Sequence, residues 1–174
     1  MSSRVFHLLA QKGRMVITVN EDDPILSVAD TLVRYNIGGV PVVDRDGALL
    51  GLVSEKMIVN ALSQRGRDIS SARARDIMLT DIQTATPDDS LYDIACRMTY
   101  SRSRHVPVLE DGKLVGLISI GDIVKMRAEN AEQEARELQD YVTGSDHGAV
   151  QTPDAPAQMH CDVNGSASRI RNDN

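Results

Sequence analysis

Residues 40–54 read VPVVDRDGALLGLVS, and residues 106–119 read VPVLEDGKLVGLIS. Each stretch is two short apolar runs around an Asp-Gly pair. That dipeptide between apolar runs signals a tight hairpin, because glycine tolerates the positive φ the turn requires. The two hairpins are also copies of one another. Working outward with one residue skipped in the turn, Val16–Val59 aligns with Ile82–Val124 at fifteen identical positions. Thr18 matches Thr84, Asp22-Asp23 matches Asp88-Asp89, and Ala29 matches Ala95. Ser54 matches Ser119, and Ile58-Val59 matches Ile123-Val124. An internal duplication is the organising fact of this chain.

Each copy predicts the same series of elements. A short strand, Val16–Val19 or Ile82–Ala85, is followed by an acidic pair that opens a helix, with Pro24 suited to the first helical turn. Ile25, Val28, Ala29, Leu32 and Val33 fall at helical spacing, as do Leu91, Ile94, Ala95 and Met98. The hairpin comes next, and a second helix begins near Ser54 and Ser119. The expected fold class is therefore α/β (α+β): two β-α-β-β-α repeats packed sheet to sheet with pseudo-twofold symmetry, because one unit is too small to bury a good core alone.

Around the repeats, residues 1–14 predict an N-terminal helix in which Val5, Phe6, Leu8 and Leu9 cover a sheet edge. The repeats occupy 15–64 and 81–127. The linker 65–80 carries Arg65, Arg67, Arg73 and Arg75, either a solvated face or a contact for a phosphate or acidic partner. Its end, Arg75-Asp76-Ile77-Met78-Leu79, predicts a helical turn docked onto copy two. A helical extension spans 128–143. There Val124, Ala128, Ala131, Ala135, Leu138 and Val142 make a weak coiled-coil seam, for a dimer or for the chain's own surface. Residues 144–174 are polar, aperiodic and expected to be disordered; the adjacent His160 and Cys161 there are poor evidence for a metal site, and none is expected.

Composition narrows the function. A net charge of −6 disfavours general binding to nucleic acid or anionic membranes. No run of about 18 apolar residues exists to span a bilayer. The N-terminal apolar run is too short for a signal peptide. Two cysteines without a CxxC pair fit a reducing, cytoplasmic setting, with Cys96 read as a small buried residue. Dinucleotide, phosphate-loop, zinc-protease and nucleophile-elbow motifs are all missing, so the chain is not expected to be an enzyme.

The sharpest chemical feature is Gly116-Leu117-Ile118-Ser119-Ile120-Gly121-Asp122. A hydroxyl and a carboxylate stand three residues apart where a strand gives way to a helix. Two readings stay open. Ser119 and Asp122 form a capping box, or the carboxylate clamps a ribose diol beside a helix N-terminus that favours phosphate.

With Arg104-His105-Val106-Pro107-Val108 beside this motif in a duplicated unit, residues 1–143 resemble the cystathionine β-synthase (CBS) domain pair, also called a Bateman module. The resemblance implies a regulatory, non-catalytic module binding an adenosine-containing nucleotide (AMP, ADP, ATP or NAD(H)) between the repeats, as an energy or redox sensor. A homodimer and an effector protein are the implied partners. It further implies that Ser119 and Asp122 hold ribose, Val16 and Ile17 flank the base, and Lys56 faces phosphate. Gly38 and Gly39 would admit the ligand to the backbone, and Arg104 and His105 would line the cleft. For His105, a partly buried polar residue at a strand end is the alternative. Copy one departs from the pattern, because Met57 stands where the carboxylate should be, and Met cannot accept a hydroxyl pair. The other function class that fits is an interaction scaffold with a vestigial cleft.

Overall fold

The computed structural model describes residues 3–13 and 15–144, together with two short paired strands further on. Both hairpins form. Strand β2 (Gly39–Val43) pairs antiparallel with β3 (Leu49–Ser54), and β4 (His105–Glu110) with β5 (Lys113–Ser119). Alternate residues point to one face, so Val40, Val42 and Val53, like Val106, Val108 and Ile118, are fully buried. The second turn has Asp111 and Gly112 both at positive φ, as a two-residue hairpin requires. The first is one residue longer. There the Asp44 carboxylate accepts the N–H groups of Asp46 and Ala48 at 2.9 and 2.8 Å.

The leading strands are shorter than expected. Strand β1 is only Val19–Asn20, parallel to β2, and its counterpart is a single bridge between Ala85 and Val108. Proline explains both. Ala85 donates to the Pro107 carbonyl and accepts from Leu109 N–H at 2.9 and 2.8 Å. The next rung upstream needs an N–H from Pro107, or from Pro41 in copy one, and proline has none.

Helix α1 runs Val5–Lys12, α2 Ile25–Tyr35, α3 Glu55–Arg65, α4 Ala74–Ile77, α5 Leu91–Ser101 and α6 Ile120–Gly144. A 3-10 turn covers Gly66–Ser71. Pro24 lies just before α2 rather than within its first turn. Helices α2 and α5 bury Ile25, Val28 and Leu32, and Leu91, Ile94 and Met98. Val33 does not join that stripe and is 81% exposed. At about 100° per residue it stands well around the helix from Leu32. Each helix ends in a left-handed residue, Asn36 or Arg102, a common stop signal.

The segment between the repeats docks on copy one, not on copy two as its sequence position suggested. Ala74 N–H donates to Asp23 O, Arg75 N–H to Glu21 O, and Ile25 N–H to Ala72 O, at 2.9, 3.1 and 2.9 Å. Leu79 exchanges both backbone bonds with Leu52, extending the β3 edge. The N-terminal segment does the same for copy two. Val5 N–H donates to Asp89 O, Phe6 N–H to Pro87 O, and Leu91 N–H to Ser3 O, at 3.0, 2.9 and 3.0 Å. Ser3–Leu9 and Ala72–Met78 are thus equivalent parts of the repeat, each packed on the copy other than the one that follows it in sequence.

This exchange gives each copy its own core, where a shared sheet-to-sheet core was expected. One core gathers Val5, Leu8 and Leu9 with Ile94, Val108, Ile118 and Ile123; the other gathers Ile69, Ala72 and Ala74 with Ile25, Val28, Val42 and Val53. The incoming segments supply the apolar surface that one repeat lacks.

The linker arginines mostly turn inward on the chain. Arg73 and Arg75 pair with Asp22, where Arg45 joins them, and Arg65 donates to the Asp76 carbonyl. Helix α6 is a continuous rod of about 37 Å. Ile123 and Met126 anchor its start, whereas Val124, Ala128, Ala131, Ala135, Leu138 and Val142 are exposed. Among the described residues, nothing of the same subunit covers this seam. Strands β6 (His160–Cys161) and β7 (Ala167–Ser168) pair antiparallel; the rest of the expected disordered tail lies outside the described residues.

Candidate functional site

Ser119 ends β5 and Ile120 begins α6, so the first helical N–H groups emerge beside the Ser119 hydroxyl. Asp122 N–H donates to Ser119 Oγ at 3.2 Å, and Ser119 N–H donates to Asp122 Oδ2 at 2.7 Å. Both halves of a capping box are in place. The Ser119 hydroxyl also donates to Oδ2 at 2.7 Å. The capping role is therefore observed, and it holds the carboxylate at the helix N-terminus, where its charge is favoured.

One partner was not foreseen. Lys12 Nζ, at the end of α1, lies 2.6 Å from Asp122 Oδ2 and donates to the Leu117 carbonyl at 3.1 Å. The Asp122 side chain is 21% exposed and that of Lys12 43%. Burial alone would raise the Asp122 pKa. The Lys12 and Ser119 bonds and the Lys12 charge outweigh it, and the carboxyl is held below its usual 3.8. The sequence hides Lys12 because it precedes copy one, whereas α1 belongs structurally to copy two. The signal that could have found it is faint: Arg4, Val5, Leu8 and Leu9 match Arg73, Ala74, Ile77 and Met78.

His105 begins β4 and sits opposite Ser119 in the ladder. Across the repeat boundary its ring lies against Gly39. A methyl group there would stand 2.8 Å from Nδ1 and 3.0 Å from Cε1. Gly38 is beside the same ring and the Glu55 carboxylate. Glycine at position 39 lets the ring come this close, since a side chain there would push into the imidazole. Copy two's Arg104 O accepts Ile120 N–H at 3.0 Å, and copy one's Gly38 O accepts Glu55 N–H at 3.2 Å. The two strand-to-helix junctions are thus built alike and meet at His105 and Gly39.

Burial pushes the His105 pKa down from 6.5, and the charges of Lys12 and Arg104 add to this against the opposing Asp122 and Glu55. An NMR titration should therefore show His105 protonating below pH 6.5. In Lys12→Met the midpoint should rise, because a repelling cation leaves and Asp122 loses its competing partner. A midpoint that stays put or falls would contradict this account.

Ser119, Asp122, His105, Gly38 and Gly39 are brought together, with Lys12 and Glu55 added. Arg104 is exposed and reaches the junction through its carbonyl. Ile17 packs partly against the copy-one core, Val16 is half-buried ahead of β1, and Lys56 is exposed in the first turn of α3; these three stand outside the contacts just described. In copy one, Ser54 makes no side-chain cap, and Met57 occupies the position of Asp122. The chemistry is one-sided: one junction has an anchored carboxylate and the other a thioether. Among the described residues no helix is long and apolar enough to cross a membrane.

Comparison with known proteins agrees with this architecture. A mitochondrial CBS domain-containing protein of Arabidopsis thaliana is 26% identical over 151 residues, covering 82% of this chain and 73% of its own. The solved structure of a CBS-domain containing protein from Agrobacterium tumefaciens is 38% identical, with a TM-score of 0.70, covering 73% of this chain and 95% of its own. Another similar structure is a CBS domain pair in complex with 5′-methylthioadenosine and S-adenosyl-L-methionine; it is 26% identical, with a TM-score of 0.67, over 75% of this chain and 99% of its own. The family model for the CBS domain matches twice, at residues 13–64 and 74–129. The chain belongs to the CBS domain family and carries a tandem pair of its domains.

Proposed function

We propose that this protein is a non-catalytic regulatory module that binds an adenosine-containing nucleotide (AMP, ADP, ATP or NAD(H)) between its two repeats, with Asp122 and Ser119 holding the ribose. The observation that carries the reading is the Asp122 carboxylate, anchored by Ser119 at the start of α6 and neighboured by His105 where the repeats meet. A carboxylate can accept both hydroxyls of a vicinal diol, and a helix N-terminus favours a nearby phosphate. The similar CBS pair that holds two adenosyl compounds supports the same ligand class. Met57 makes this a one-clamp sensor rather than a symmetric pair of sites.

Ligand binding at the junction would bear on the start of α6, whose exposed face would pass the change to a homodimer partner or effector. A thermal-shift panel of AMP, ADP, ATP, NAD+, NADH and GMP tests the reading. At a hundredfold excess over Kd, a true ligand adds about 2.7 kcal/mol. At least one adenosyl compound should raise the melting temperature with saturating dependence while GMP does not. A panel in which none stabilises the protein would instead favour the scaffold reading.

A further inference from the structure

We propose that Lys12 is a specificity-determining residue of this cleft: it occupies the Asp122 carboxylate until a ligand offers it an anion, and so favours adenosyl ligands carrying a phosphate. The inference rests on the ribose-binding reading of Asp122 given above. Its starting point is the loading of one oxygen atom. Asp122 Oδ2 accepts from Ser119 N–H, Ser119 Oγ–H and Lys12 Nζ at 2.7, 2.7 and 2.6 Å. A carboxylate oxygen offers about two lone-pair sites, so Oδ2 has nothing left for a hydroxyl. A vicinal diol that uses both carboxylate oxygens must therefore displace a donor.

The three donors differ in how readily they leave. The Ser119 N–H is fixed where β5 meets α6. The Ser119 oxygen is held there too, since it caps Asp122 N–H, so its hydroxyl hydrogen can turn in place but the group cannot withdraw from the carboxylate. Lys12 alone sits on a flexible four-carbon stem, at the last residue of α1 and next to Gly13, whose φ is +89°. The rest of α1 stays put, because Val5, Leu8 and Leu9 are buried in the copy-two core. Opening the site is then a swing of one side chain, without undocking the helix.

Charge decides which ligands compensate for that swing. The cations around the junction are Lys12 on α1 and Arg104 before β4; the anions are Asp122 on α6 and Glu55 on α3, with His105 between them. Lys12 leaving Asp122 loses a charge-assisted bond in a partly shielded place. A phosphate on the bound ligand replaces that partner. A nucleoside or a 5′-methylthio group does not, and a sulfonium adds a further positive charge. Copy one has no equivalent device, since Met57 replaces the carboxylate and, by the correspondence of Ser3–Leu9 with Ala72–Met78, an acid, Asp81, stands at the position of Lys12.

Titration calorimetry on the full chain and on Lys12→Met, with adenosine, 5′-methylthioadenosine and AMP, tests this. The substitution keeps an unbranched stem and removes the ammonium, with its charge and its hydrogen-bond donors. The unaltered protein should bind AMP at least ten-fold more tightly than either uncharged compound. In Lys12→Met, AMP should weaken about ten-fold while adenosine holds or tightens, bringing the ratio near one; Lys12→Arg should retain most of the preference. An unchanged ratio in Lys12→Met, or equal weakening of all three compounds, would overturn the role of Lys12 while leaving the ribose site standing. If no adenosyl compound binds either protein, the ribose reading itself falls, and this inference with it.

Discussion

Replacing Asp122 with alanine is expected to lower adenosine affinity about a hundred-fold. A hydrogen bond to a charged group contributes about 1.5–3 kcal/mol, and a ribose diol makes two to this carboxylate. The gain lost is near 3 kcal/mol once the Lys12 contact that the ligand displaces is set against it, and that is roughly two decades in Kd. AMP should lose less, because a Lys12 no longer held by Asp122 is still available to its phosphate. The same substitution removes half of the α6 capping box, costing about 1 kcal/mol of stability. Binding and unfolding must therefore be measured on the same preparation. Calorimetry showing undiminished adenosine binding in a folded Asp122→Ala protein would remove Asp122 from the site.

The acid side of the stability profile carries an independent mark of the same residue. The Asp122 carboxyl is held below 3.8 in the folded chain. As pH falls through that value the unfolded chain takes up the proton first, so the contribution present above it is lost going down. Asp122→Ala should flatten that part of the acid limb.

The largest effect on stability is expected at Gly51. A methyl group there would stand 2.6 Å from the Leu79 carbonyl oxygen and 3.1 Å from Met78 Sδ. That carbonyl cannot retreat cheaply, because it accepts Leu52 N–H at 3.0 Å while Leu79 N–H returns a bond to Leu52 at 2.9 Å. Gly116 is its counterpart in copy two, and a methyl group there meets Leu9 Cδ2, also at 2.6 Å. Leu9 is a side-chain tip and can rotate. Overpacking costs about 1–3 kcal/mol, so Gly51→Ala belongs near the top of that range and Gly116→Ala near the bottom. In a chain of this size the difference is roughly 4–8 °C in Tm. Urea unfolding of both variants checks the order. Equal losses would mean that the Leu79 strand edge yields as easily as a leucine side chain.

Much of the site was visible before the fold. Ser119 and Asp122 were legible because a capping box is local: three residues of spacing at a strand end determine which groups meet. His105, Gly38 and Gly39 came only through the family resemblance, which implies that residues ahead of the two hairpin prolines line the cleft; the structure sets the His105 ring against Gly39. Lys12 was not legible. It reaches Asp122 from 110 residues away in sequence, through a helix that docks on the farther repeat. The docking of α4 on copy one is hidden for the same reason, since chain order says nothing of which copy a connecting segment will pack on. The short leading strands, by contrast, were written in Pro41 and Pro107, although their effect depends on a parallel neighbour that only the fold supplies.

By itself, then, the sequence determined the duplication, the hairpins with their glycine turns, the helical stripes and the broken symmetry of Met57 against Asp122. These follow from periodicity, turn chemistry and the identity of single side chains, all of which act within a few residues. Only the tertiary structure decided that the flanking segments cross over to complete two separate cores, and that Lys12 thereby closes the one anchored carboxylate. Such contacts depend on which apolar surface each repeat leaves uncovered, and that is a property of the packed whole rather than of any stretch of chain.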